Sequence, residues 1–276
     1  MASRKAEKEA ARQRRLEQER AAQAATQRKQ RMVIAGSLLI AVIAVAVVLV
    51  VVLGNSSSSS GDSKLATTPH SAKAKSAVAE VDSLLKGIPQ HGTTLGNPNA
   101  KVTFTEYGDL ECPICREFSL GAERQLISNE VRSGKVKLVY KSSETATGDL
   151  GHAASTVFPM QQSAAYAAGA QGKAWNYILL FYRDQGAEDT PYVNTTFLQG
   201  LAKQIPGLNF AKWNNDRNNP AYADQIQQEN KAAASLDFEG QGGTPALIAA
   251  GPTSQTRPVA GDYPYSSVQS MIKSVS

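Results

Sequence analysis

The stretch Lys101-Val-Thr-Phe-Thr-Glu-Tyr107, followed by Gly-Asp-Leu-Glu and then Cys112-Pro-Ile-Cys115, decides the reading of this chain. The first seven residues alternate and are rich in β-branched and aromatic types, which predicts a strand. With Cys112 as N-cap, Pro113 takes the first helical position, where its missing N–H costs nothing and its fixed φ suits the helix. The free N–H groups and dipole of that turn stabilise a thiolate on Cys112, making it a nucleophile and a good leaving group. Cys115, one turn deeper, is placed to resolve a mixed disulfide. These are the chain's only two cysteines. A purely structural bridge over so short a loop would contribute only about 2 kcal/mol. Zinc would need four ligands, and His70, His91 and His152 are scattered. The pair therefore points to thiol–disulfide exchange without metal or other cofactor.

Working outward, residues 116–132 read as a helix closed by Ser133-Gly134, and residues 135–141 as a second strand. Strand, helix and strand in that order predict a βαβ unit with parallel pairing. Residues 150–236 are rich in Ala, Gln and Asn and read as a helical block, with breaks at 186–191 and at Pro206-Gly207. Within it, Trp175 and Tyr182 read as core in preference to a groove lining. Residues 246–250 and 256–260 are the remaining strands, and residues 265–275 a closing helix. The expected fold class is α/β, a small mixed sheet with a helical insertion.

The N-terminal third differs in kind. Residues 1–31 carry ten Lys/Arg against four Glu, a net of +6 that exceeds the +5 of the whole chain, so the remainder is near neutral and no nucleic-acid footprint is left. Residues 32–53 are 22 uncharged, mostly apolar residues. As a helix they would span about 33 Å, enough to cross a bilayer. The basic excess before this run predicts a cytoplasmic N-terminus and an exported C-terminal domain, where disulfides are permitted. Residues 54–86 read as an extracytoplasmic linker: a Ser-rich polar tether to about residue 74, then a short amphipathic helix over 78–85 that packs on the domain. The domain itself is expected from Gly87 to the end.

The run from Gly87 to Cys115, with Asp109-x-x-Cys112-Pro-x-Cys115 and the later Gly243-Thr244-Pro245, resembles exported DsbA-like thioredoxin-fold proteins. The resemblance covers about the last two thirds of the chain. It implies that Pro245 is a cis proline facing the cysteines, with Thr244 offering backbone groups to a substrate strand. It also implies that Glu106, sharing a strand face with Val102 and Phe104, is a buried acid that exchanges protons with Cys115. Between the cysteines, Pro113 and Ile114 lack the His found in strongly oxidising relatives, so the Cys112 pKa should be depressed less than theirs and the disulfide be less oxidising. The function implied is a membrane-tethered dithiol oxidase acting on thiols of exported proteins and recycled by a membrane-embedded redox partner. The alternatives are a reductase or isomerase, and a non-catalytic thioredoxin-fold binding module.

Overall fold

The computed structural model describes residues 64–68, 71–188, 190–238 and 241–276. The chain divides into two units, Met1–Ser60 and Gly61–Ser276, and the second is described below. The expected basic segment and membrane-spanning run (1–31 and 32–53) lie outside the described residues. Among the described residues no helix is long and apolar enough to cross a membrane.

Strand β3 (Val102–Gly108) is central, because its side chains are covered on both faces. It pairs in parallel with β4 (Val136–Ser142) and antiparallel with β5 (Ala246–Ala250). Short strands complete a six-stranded sheet: β1 (Gln90–His91) and β2 (Thr94–Leu95) beyond β4, and β6 (Val259–Ala260) beyond β5. The parallel β3/β4 pair is the one the sequence predicts. The β1–β2 hairpin is an addition to that expectation, and the strand expected over 256–260 shortens to β6 plus an isolated bridge between Ala250 and Gln255.

The crossover between β3 and β4 is broken where a single helix was expected. Helix α3 (Pro113–Leu120) ends at Gly121, α4 (Ala122–Leu126) follows, and a π turn (Ile127–Val131) completes the connection. At Gly121 a Cβ would lie 3.1 Å from the Glu117 carbonyl, so the close chain approach at the break favours glycine.

The helical block is α5 (Ala154–Gly169), α6 (Ala174–Asp184), α7 (Thr195–Ala202), α8 (Phe210–Asp216) and α9 (Pro220–Ala234), preceded by a 3₁₀ segment at Ala146–Ala153. Asn194, Asn209 and Asn219 cap the last three through their side chains, which satisfies N–H groups that have no partner within the helix. The closing helix α10 (Tyr265–Val275) lies against β5 and α4, while α9 packs on β4 and α5. Trp175 and Tyr182 are fully buried core residues, not a groove lining.

The tether expected to reach residue 74 is structured over its second half. The short helix α1 (Lys64–Thr67) buries Leu65, and the Asp184 carboxyl accepts the N–H groups of Leu65 and Ala66, each at 2.8 Å. Helix α2 runs over Ala72–Leu85, capped by Ser71, and buries Val81, Leu84 and Leu85. One buried leucine with capped amides lets a serine-rich segment dock where composition alone predicts a free linker.

Candidate active site

Glu106, Cys112, Cys115, Thr244 and Pro245 come together at the end of β3. Cys112 is the N-cap of α3 with extended backbone angles, Pro113 opens the helix, and the Cys112 amide closes a turn onto the Asp109 carbonyl at 3.1 Å. Both cysteines are free thiols; Cys112 is 5% exposed and Cys115 wholly buried. The Cys115 N–H points at Cys112 Sγ at 3.4 Å, and the Cys112 thiol donates to the Thr244 carbonyl, also at 3.4 Å. The Thr244–Pro245 peptide is cis.

This geometry splits the two thiols. Cys112 is lowered to about 7, chiefly by the hydrogen bond from the Cys115 thiol, with Thr244 and the N–H groups of Cys115 and Ile114 adding to it against the cost of burial. Cys115 moves the other way: burial pushes it well up, as do its bond to Cys112 and the charges of Cys112 and Glu106. One thiol is thus about half ionised near neutrality and the other holds its proton, the division of labour a nucleophile and a resolving thiol need.

Ile114, between them, is the only large apolar side chain exposed among the described residues, at 39%. Glu106 is wholly buried with Val102 and Phe104, and burial, then the neighbouring Glu123, raise its pKa well above the ordinary carboxyl range.

Three residues that the sequence did not single out complete the site. Asp109 is buried and accepts five hydrogen bonds: Oδ1 from Glu111 N (3.0 Å), Thr147 Oγ1 (2.6 Å) and Gln161 Nε2 (3.3 Å), Oδ2 from Thr145 N (2.9 Å) and Thr147 N (2.8 Å). Thr145 Oγ1 in turn meets Thr244 Oγ1 at 2.5 Å. Asp109 therefore pins the turn before Cys112 and the segment that supports the cis-proline loop. Gln185, just past α6, donates from one amide nitrogen to the carbonyls of Leu110 (2.8 Å) and Cys112 (3.0 Å), holding the entry to α3 from the helical block.

Glu123, on α4, is buried beside Glu106. Its signal was present: Glu123 shares a helical stripe with Ser119 and Leu126, both buried. Asp109 stood in the quoted motif, but its partners other than Glu111 lie 36 to 52 residues away.

Glu111, next to Cys112, is raised to about 7, by burial first and by the Asp109 charge, against a hydrogen bond from Thr147. Beside the cis-proline loop lies a cleft of about 310 Å³ lined by residues including Thr145, Leu236, Phe238, Gly243 and Ala246.

Comparison with known proteins bears on the family and the fold. A family model described as thioredoxin matches residues 90–273. The chain is 22% identical over 150 residues to "Probable disulfide bond formation protein D" of Bacillus anthracis, a match covering 53% of this chain and 65% of that protein. The Bacillus cereus protein of the same description is 21% identical, over 53% and 66%. The chain thus matches just under two thirds of the length of these curated relatives.

Among solved structures, oxidised BdbD of Bacillus subtilis superposes with a TM-score of 0.54 at 16% identity, covering 68% of this chain and 95% of that one. Alpha-DsbA1 of Wolbachia pipientis gives 0.53 at 16%, over 69% and 92%. A thioredoxin-like oxidoreductase of Silicibacter pomeroyi gives 0.50 at 25%, over 70% and 95%. The chain belongs to the thioredoxin family, and its fold is the DsbA-like form of it, with helices inserted between β4 and β5.

Proposed function

We propose that the protein is an extracytoplasmic thiol–disulfide oxidoreductase, a dithiol oxidase that passes a Cys112–Cys115 disulfide to thiols of exported proteins. The observation that carries this reading is the ionisable Cys112 at the start of α3, facing the Thr244 carbonyl beside a cis proline. A substrate thiolate would attack Cys112 Sγ, the bond to Cys115 would break, and a second substrate thiolate would release Cys112. Thr244, Pro245 and the adjoining cleft would hold the substrate strand, with Ile114 as an apolar contact. Residues 32–53 would anchor the chain in the bilayer, with a membrane-embedded partner reoxidising the pair; the uncharged run and the basic residues before it support this part.

A second reading, a reductase or isomerase, is favoured by the Cys112 pKa of about 7 and the absence of His between the cysteines. Thioredoxin-type thiols titrate near 7, whereas those of the strongest oxidants lie at about 3.5.

Two measurements decide. The first is the reduction potential of the purified protein, expected between about −270 and −120 mV, with the oxidising end favouring the oxidase. The second is trapping of exported proteins on Cys112 in cells carrying Cys115→Ala. A potential below about −300 mV with no trapped partner would leave only a permanently bridged binding module.

A further inference from the structure

Beneath Cys115 two carboxyl groups meet in a place that admits no second charge. Glu106 on β3 and Glu123 on α4 are both wholly buried and neighbour each other. None of their four oxygens has a hydrogen-bond partner. Two bare anions side by side in such a place, with no donor to solvate them, would be strongly disfavoured, so one of the pair keeps a proton.

The surroundings say which group holds it. Facing Glu106 are Cys112 and Cys115 from α3, Tyr140 from β4 and Tyr182 from α6, all neutral or anionic. Facing Glu123 are the Ser119 hydroxyl from α3 and the Arg183 guanidinium from α6, with Arg124 of its own helix near Arg183. Both favour an anion on Glu123. Glu106 is therefore the acid and Glu123 the carboxylate. This disqualifies Glu106 as a simple base for Cys115, since its proton must go somewhere before it can take another.

We propose that Glu123 is the terminal proton acceptor of the dithiol centre, acting through Glu106. The proposal rests on the thiol–disulfide reading above. As Cys115 attacks Cys112 Sγ of a mixed disulfide, its proton moves to one oxygen of Glu106 while the Glu106 proton passes from the other to Glu123. The Cys115–Cys112 bond forms, the Cys112–substrate bond breaks, and the substrate sulfur leaves with the electron pair. In the opposite direction a substrate thiolate breaks the internal disulfide, and the proton returns along the same path to the expelled Cys115.

The test is the rate at which Cys115 resolves a mixed disulfide of Cys112 with glutathione, followed against pH in the full chain in detergent. Glu106→Gln, Glu123→Gln and the double variant are compared. Each should slow resolution by about a hundredfold, the usual scale for a lost proton acceptor. The double variant should be no slower than either single, because the two act as one path.

The wild-type rate should fall at low pH as Glu123 becomes protonated, and Glu123→Gln should lose that limb. A wild-type rate and limb in Glu123→Gln would overturn the proposal. So would carboxyl ¹³C spectra of the wild-type protein showing both glutamates ionised at neutral pH, a readout that holds even if a variant fails to fold. Failure of the wild-type protein to form any mixed disulfide at Cys112 would instead overturn the function proposed above.

Discussion

Asp109→Asn is the substitution whose consequences the structure specifies most fully. The change is nearly isosteric, but it replaces one acceptor oxygen by a donor. The five donors around Asp109 need both oxygens, and two of them, the amides of Thr145 and Thr147, converge on Oδ2 alone. In the variant that pair faces an NH₂ group, or the amide flips and the three donors on Oδ1 face it instead. At roughly 1–3 kcal/mol for each buried donor left without a partner, loss of the two amide bonds costs about 3 kcal/mol. For a domain of this size that corresponds to a melting temperature lower by about 6–12 °C.

The same loosening reaches the chemistry. Thr145 holds Thr244 through its hydroxyl, and Thr244 is one of the groups that lower the Cys112 pKa. The midpoint of Cys112 alkylation should therefore rise above about 7 in the variant. Thermal unfolding and the pH profile of iodoacetamide labelling measure both effects. A melting temperature and midpoint equal to wild type would refute the account of Asp109 as the clasp of the site.

In the wild-type protein, thiolate forms as pH rises, so alkylation of Cys112 should increase to a plateau with its midpoint near 7. Thr244→Val should move that midpoint upward, as stopped-flow labelling would show. Ile114→His would add a cation beside Cys112 and should lower its pKa and raise the reduction potential, measured against glutathione. Pro245→Thr should prolong mixed disulfides while leaving the circular dichroism unchanged; trapped species as short-lived as wild type would count against a substrate groove at this loop.

What could be read from the sequence and what could not divide along contact range. The β3 alternation, the Cys112 cap with Pro113 after it and the parallel β4 are local patterns, each carried by a few adjacent residues. The break at Gly121 is local too, yet it depends on the chain passing close to the Glu117 carbonyl, which residue types alone do not announce. The docking of Leu65 depends on Asp184, 119 positions away. Gln185 holds Cys112 across 73 positions. Such residues look like ordinary polar surface until the fold brings their partners to them. Glu123 is the intermediate case, an acid on a buried helical stripe whose meaning required knowing that Glu106 lay opposite.

The outermost strands, β1 and β6, are only two residues long. If the protein handles unfinished chains, as proposed above, it meets segments seeking a sheet margin to extend, and long open margins invite indiscriminate growth. Here each margin offers almost no ladder to copy. If visiting chains are to be gripped in extended form, the loop at Thr244 is left as the principal place to do so, and clipped borders then act as quality control over where a client can stick.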